Sequence, residues 1–266
     1  MRCETNTVAL AKAARETIIK AIYASKSSHI GSCYSCVDIL AVIYGALLKV
    51  DDIIKNTIDR DYFVLSKGHA AAALYSILKE VGFDINLEDY GANGSDLMTH
   101  ASCKVPGVEL SSGSLGLGLG HCLGRALANR KDGIDSKVIC LLSDGELNEG
   151  SNWESFMMAS HLKLSNLTIV IDKNNLQSLT TTENTLNLGS LANKFGQFDL
   201  EVIDIDGHDH QTLRLAFQKK SALTKVIIAN TIKGKGVSFM EDKVEWHYRP
   251  PNQGEYREAL REIRNA

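Results

Sequence analysis

The sequence predicts an α/β fold, a mostly parallel sheet with helices on both faces. Three observations carry this. Residues 138–142 and 167–171 are short apolar runs rich in branched side chains and bounded by polar residues, the pattern of buried strands. Between them Trp153, Phe156, Met157 and Leu164 form a helical stripe with Ser160 and His161 on the same side. Ser151 and Glu154 stand at its start with capping-box spacing. Strand, helix, strand in that order makes the two strands parallel, joined by a right-handed crossover. Third, Tyr62–Leu65 is a further strand that runs into a helix at 70–81, and 201–205 and Lys225–Asn230 are two more strands late in the chain.

Taken in order, residues 5–26 read as a helix with Val8, Ala11, Ile18, Ile19 and Ile22 mostly on one side. Ser28-His29-Ile30-Gly31-Ser32 interrupts it, and the apolar stretch 37–48 reads as a buried helix. The strand Tyr62–Leu65 ends in Ser66-Lys67-Gly68-His69, which puts a histidine at a helix start. Residues 91–113, with His100, lack periodicity; loops this long in compact domains are functional or mobile. The run SSGSLGLGLGHCLG at 111–124 reads as a glycine-rich turn feeding a tightly packed helix through Arg130. It is not a dinucleotide fingerprint: counted from Gly118 and Gly120, the third glycine falls on Leu123, and no strand precedes it. Helix packing accounts for Gly116, Gly120 and Gly124. After Gln177 the threonine-rich stretch reads as a surface excursion. Strands 201–205 and Lys225–Asn230 end at Asp206-Gly207-His208-Asp209 and at Thr231-Ile232-Lys233-Gly234. Arg261 and Arg264 belong on a solvated helix face.

A chain of 266 residues, 44% hydrophobic, can bury one sizeable core, so a single domain over 1–266 is expected. A net charge of -3 gives no footprint for nucleic acid. The longest apolar segment, 39–48, falls short of the ~20 residues that span a bilayer, and the N-terminus lacks a compact apolar signal region. A soluble cytoplasmic protein, with neither membrane nor nucleic-acid partner, is the expectation. Cys33 and Cys36 have redox or zinc spacing, but a structural zinc site needs a second pair and there is none. With Cys3, Cys103, Cys122 and Cys140, they read as reduced small apolar residues.

The chemistry concentrates between Lys137 and Gln177. Strand 138–142 ends at Ser143-Asp144-Gly145 and strand 167–171 at Asp172-Lys173-Asn174-Asn175. Ligands of open parallel sheets sit beyond the carboxyl ends of the strands. Asp144, the amide oxygen of Asn174 and the carbonyl of Leu176 are hard oxygen donors that suit magnesium or calcium, and magnesium shares its shell with substrate phosphates. Gly145 offers an unshielded N–H, and the helix start after Glu149 supplies partial positive charge for a diphosphate. The residues therefore describe a site for a metal-bound diphosphate.

Asp144-Gly145, with Asn174 thirty residues on, resembles the thiamine-diphosphate motif, and Glu149-Gly150, Trp153-Glu154 and Leu176-Gln177 narrow the resemblance to the transketolase family. The motif departs from the family at Ser143, where glycine is usual. The resemblance implies thiamine diphosphate and Mg2+ (or Ca2+ or Mn2+) as cofactors, with the metal on Asp144, Asn174 and Leu176. It implies that Gly145, His69 and His247 hold the diphosphate, that Gly113 and Leu115 give main-chain contacts to the cofactor rings, and that Glu149 lies on the diphosphate side as an inter-site contact. It makes His29 and His100, with His247, the residues that face substrate. Ile30, Ala101 and Tyr248 stand where the family has proline, proline and glycine.

The resemblance covers nearly the whole chain but one portion of a transketolase. The family's pyrimidine-binding and C-terminal domains have no counterpart here, and no residue takes the role of the glutamate that activates the aminopyrimidine ring. The expectation is the N-terminal subunit of a split transketolase, working with a separate chain that carries those domains in a heterotetramer of two plus two. It would transfer a two-carbon ketol unit from a ketose phosphate to an aldose phosphate, chemistry of the pentose phosphate pathway or of a specialised route. The alternatives are half of another thiamine enzyme (an acyloin-forming enzyme, a deoxysugar-phosphate synthase or a dehydrogenase component) and a non-catalytic regulatory paralogue.

Overall fold

A computed structural model describes residues 6–266; Cys3 and the predicted helix start at Thr5 lie outside the described residues. Five strands, β1 (Tyr62–Leu65), β2 (Val138–Ser143), β3 (Leu167–Lys173), β4 (Glu201–Asp206) and β5 (Lys225–Asn230), form one sheet in the order β1-β2-β3-β5-β4. Every neighbouring pair is parallel. Among the described residues the α-helices, in chain order, are α1 (Thr7–Ser25), α2 (Ile30–Val42), α3 (Val50–Ile54), α4 (Ala71–Glu80), α5 (Gly118–Lys131), α6 (Gly150–Leu162), α7 (Thr182–Leu186), α8 (Leu191–Gly196), α9 (His210–Gln218) and α10 (Gln253–Asn265).

Alternation along the strands feeds two cores, as the pleat requires. Ile139 and Leu141 of β2 face α1, α2, α4, α9 and α10; Val138, Cys140 and Leu142 face α5, α6 and α8. Helices therefore cover both faces, and the α/β expectation holds. α2 is the central helix: all thirteen of its residues are buried. With the π-helical turn Ile43–Leu47 it makes an apolar stretch of 18 residues, long and apolar enough by composition to cross a membrane, but 83% of it is buried inside the protein.

The local readings differ from the structure in four places. α2 begins at Ile30 rather than 37, because its polar residues find buried partners: Ser35 on Asp172 and Asp38 on Arg15. The capping box at Ser151 and Glu154 does not form. α6 starts at Gly150 with Glu149 as N-cap, and Ser151 Oγ donates instead to the Gly116 carbonyl (2.7 Å). The buried side of α6 is Asn152, Phe156 and Ala159; Met157 and His161 are exposed, since a sheet-facing helix buries only a narrow stripe. The stretch after Gln177 contains α7 and α8, and α8 sends Leu191 and Phe195 into the core. Cys33, Cys36, Cys122 and Cys140 are buried free thiols and Cys103 is exposed. Burial pushes the Cys33 thiol up to about 12, which makes it inert.

Candidate active site

The carboxyl ends of β1, β2, β3 and β5 meet at one cavity of about 260 Å³. β2 and β3 are neighbours with Ser143 opposite Asp172, so Asp144 and Asn174 enter the cavity from adjacent strands. His29, His69, His100 and His247 line it too, as do Gly113, Leu115, Gly145 and Leu176. These ten are the site residues read from the sequence, with one exception. Glu149 is not among the lining residues; it is exposed at the α6 N-cap, packed beside Gly116.

Four imidazoles form one cluster centred on His29, whose ring centroid is 5.4 Å from that of His69, 5.5 Å from His100 and 5.0 Å from His247. His29 has a left-handed backbone (φ 76°) at the α2 N-cap, a conformation unusual for a residue with a side chain. Its Nδ1 is buried without a hydrogen-bond partner. Burial, then repulsion from His100, Lys233 and Lys67, lowers His29 to about 4. Burial and the Lys233 ammonium lower His247 to about 3. Burial lowers His100, and burial together with Lys67 lowers His69 further. The cluster is therefore neutral at physiological pH, each ring offering one donor and one acceptor.

Asp144 is 6% exposed and forms no ion pair among the described residues. It accepts the N–H groups of Gly145 (2.8 Å) and Asn175 (2.5 Å). Burial and the neighbouring Asp172 still raise it to about 6. A buried carboxylate without a counter-cation is the observation that fits a hard metal ion. The Asn174 amide oxygen accepts from Leu176 N–H at 3.1 Å and keeps a second lone pair. Among the described residues no group of three His, Cys, Asp or Glu is set to hold a metal; the oxygens the cavity offers are the Asp144 carboxylate, the Asn174 amide and the Leu176 carbonyl. Such a set needs phosphate oxygens to complete a magnesium shell. The cradle is also tight: a Cβ on Gly145 would stand 2.9 Å from Gln177 Cγ, and one on Gly113 would stand 3.1 Å from His100 Cδ2.

Three features escaped the sequence reading. Lys67 and Asp172 form a wholly buried ion pair beneath the cavity. Asp172 also accepts from Ser35 Oγ (2.6 Å), from Thr231 Oγ1 and from Asn174 Nδ2 (3.4 Å), which orients the Asn174 amide. Burial opposes its ionisation, but Lys67 and these donors hold the Asp172 carboxyl low. Lys233, 1% exposed, reaches the carbonyls of Gln177 (3.0 Å) and Leu176 (3.4 Å) and His247 Nδ1 (2.9 Å). Burial and Lys67 lower its ammonium to about 8. Glu146, buried, accepts from Ser66 Oγ and from the N–H groups of Gly116 (2.9 Å) and Ser143 (3.3 Å), tying the glycine-rich turn to the Asp144 loop. The strand-end rule that finds Asp144 and Asn174 also finds Lys67 and Lys233, which follow β1 and β5.

The family described as the transketolase thiamine diphosphate binding domain matches residues 6–263. The chain belongs to the transketolase family. It is 37% identical over 255 residues to a Phocaeicola vulgatus protein named as a subunit of apulose-4-phosphate transketolase, covering 94% of this chain and 90% of that one. It is 35% identical to human transketolase, covering 94% of this chain but only 40% of the human protein. A crystal structure of transketolase from Campylobacter jejuni superposes with a TM-score of 0.86 at 28% identity, covering 97% of this chain and 42% of that one. This transketolase-family chain thus spans the thiamine-diphosphate-binding portion of the larger enzymes. It matches almost end to end a relative whose name makes it one component of a divided enzyme.

Proposed function

We propose that this chain is the diphosphate-binding subunit of a two-chain, thiamine-diphosphate-dependent transketolase. It transfers a two-carbon ketol unit from a ketose phosphate to an aldose phosphate. The observation that carries this is a single cavity holding both a buried Asp144 that forms no ion pair among the described residues and four neutral histidines, at the carboxyl ends of parallel strands. Asp144, Asn174 Oδ1 and the Leu176 carbonyl are the donors for magnesium. His69, His247 and the Gly145 main chain hold the diphosphate, and Gly113 and Leu115 give the cofactor rings their main-chain contacts.

When bound, thiamine diphosphate supplies an electron sink at its thiazolium carbon. The chain's own residues do the rest. His29 and His100, neutral, donate hydrogen bonds to substrate oxygens without adding positive charge beside the thiazolium. Lys233 braces His247 and the Leu176-Gln177 main chain. Among the described residues no glutamate lines the cavity, and the subunit name of the Phocaeicola vulgatus relative supports a second chain as the source of the partner for the aminopyrimidine ring. Two copies of each chain form the assembly, in the cytoplasm, and the name of the Phocaeicola vulgatus relative makes apulose 4-phosphate the first donor to test.

The test is to purify the chain with and without a complementary subunit carrying pyrimidine-binding and C-terminal domains. Magnesium-dependent binding of thiamine diphosphate, and ketol transfer only with both chains, are expected. Turnover by this chain alone would overturn the two-chain reading; no binding in any combination would indicate a regulatory protein.

A further inference from the structure

A second acid-centred network lies behind the cavity, on the far side of the turn that follows β5. Asp38, one turn along α2 from Ser35, is buried and takes a bidentate hydrogen bond from Arg15, at 3.0 and 2.6 Å. His208 Nδ1 lies 2.7 Å from Asp38 Oδ2, and His208 Nε2 accepts the backbone N–H of Ile232 at 2.8 Å. The two contacts fix the tautomer. A main-chain N–H can only donate, so Nε2 carries no proton and Nδ1–H donates to Asp38. His210 Nε2 is 3.2 Å from Asp38 Oδ1, and its Nδ1 is 2.8 Å from Thr7 Oγ1. Burial opposes ionisation of Asp38, but His208, His210 and Arg15 hold its carboxyl well below the usual range, so it stays an acceptor.

Ile232 stands between two residues of the site. On one side Thr231 Oγ1 donates to Asp172; on the other Lys233 reaches Gln177, Leu176 and His247. Close packing seats the same turn: a Cβ on Gly207 would stand 3.0 Å from Ala229 Cβ, and the Gly207 N–H donates to Asn230 O at 2.7 Å. The Lys233 side chain is buried along its length, so a shift of its backbone would carry the ammonium away from these partners.

We infer that Asp38 and His208 are positioning residues: the relay Arg15–Asp38–His208–Ile232 N–H fixes the backbone from which Lys233 meets His247 and the Leu176-Gln177 carbonyls. The inference rests on the reading of the cavity as the cofactor site. A positioning shell of this kind typically changes affinity for the bound group by about 10- to 100-fold.

The test has two parts. In the wild-type chain, NMR with uniform 15N labelling reads the tautomer of His208 and the coupling across the hydrogen bond between Ile232 N and His208 Nε2. An Nε2–H tautomer, or no coupling, overturns the relay without any variant. Then His208→Phe and His208→Gln are compared with wild type for magnesium-dependent binding of thiamine diphosphate by calorimetry, and for hydrogen exchange at the Ile232 amide. Glutamine restores an acceptor for Ile232; phenylalanine does not. Faster exchange at Ile232 and about tenfold weaker binding in His208→Phe, both largely recovered in His208→Gln, is the expected result. Wild-type affinity in His208→Phe, or glutamine no better than phenylalanine, overturns the proposal. Should wild type itself bind no thiamine diphosphate, the functional reading falls, while the coupling and the exchange still decide the relay.

Discussion

The backbone N–H of His29 donates to the carbonyl of His247 at 2.7 Å, and their rings stand nearly perpendicular with centroids 5.0 Å apart. This one bond joins the α2 N-cap to a segment more than two hundred residues later. Both residues line the cavity, and both are half-buried. Their positions are therefore coupled: moving either loop opens both rings to water.

That coupling gives the acid response of the chain. Folded His29 and His247 accept protons only near pH 4 and pH 3, against an ordinary value of 6.5, and His69 and His100 are shifted the same way. The unfolded chain takes up protons first, so their contribution to stability is intact above pH 6.5 and is lost as pH falls towards 4. The limit is about 1.4 kcal/mol per histidine per pH unit, less for partly exposed rings. Asp144, raised to about 6, and Glu146, also raised by burial, oppose this, two carboxyls against four histidines. Urea midpoints measured between pH 7.5 and 4.5 should fall steadily below 6.5, and His247→Asn should flatten the slope. A midpoint indifferent to pH across that window would contradict the neutral cluster.

Asp144→Asn separates stability from function. Above pH 6 the folded protein holds an ionised carboxylate that burial and Asp172 both disfavour. Gly145 and Asn175 donate to different carboxylate oxygens, so the asparagine oxygen keeps only one of them and its NH2 faces the other. The relief of charge and the lost bond offset each other, and the metal-free chain should stay within about 1 kcal/mol of wild type at pH 8. Magnesium-dependent binding of thiamine diphosphate should weaken by at least about 100-fold. A destabilised variant that still binds would remove Asp144 from the metal.

How much of this was legible in the sequence follows from what each signal depends on. The strands were legible because parallel strands buried on both faces are continuous apolar runs, and Asp144 and Asn174 followed from the rule that ligands sit at their carboxyl ends. His29, His100 and His247 came from the resemblance to the transketolase family, and only His69 also from its place just after a strand. Helix starts were less so. Ser151 and Glu154 have the local spacing of a cap, but the Gly116 carbonyl, brought from a distant turn, takes the serine. Asp38, Asp172, Lys67 and Lys233 are charged residues that sequence logic places outside a core; they are inside because each finds its partner at long range.

Those long-range pairs make the third prediction. Lys67 and Asp172 are both fully buried, and Asp172 also takes three further donors. Removing one charge strands the other, so Lys67→Met should cost about 3–5 kcal/mol of stability. Asp172→Asn strands the Lys67 ammonium in the same way and should cost a similar amount, although the amide keeps an acceptor for Ser35 or Thr231; it should also let the Asn174 amide turn and so weaken metal binding. The double variant Lys67→Met with Asp172→Leu should recover part of the stability and none of the binding. Denaturation and calorimetry on the three proteins check this; additive losses in the double variant would mean that the pair is not coupled.

Tyr248 sets the last expectation, on substrate choice. Its ring lies at the cavity mouth, 55% exposed, edge-on to His247 at 4.7 Å. The backbone there is held from both sides: Ser28 Oγ donates to the Tyr248 carbonyl at 2.7 Å, and the Arg249 guanidinium lies 3.8 Å from the Trp246 ring centroid while pairing with Glu255. A fixed aromatic wall narrows the entrance for an extended sugar chain more than for a short aldehyde. Tyr248→Gly, assayed in the two-chain enzyme, should therefore raise kcat/KM for a five-carbon aldose phosphate relative to a two-carbon aldehyde, by roughly one order of magnitude. Cofactor affinity should stay near wild type, since the change is at the rim. An unchanged ratio between the two acceptors would mean that the ring does not face the substrate path, and selection would then lie with the second chain.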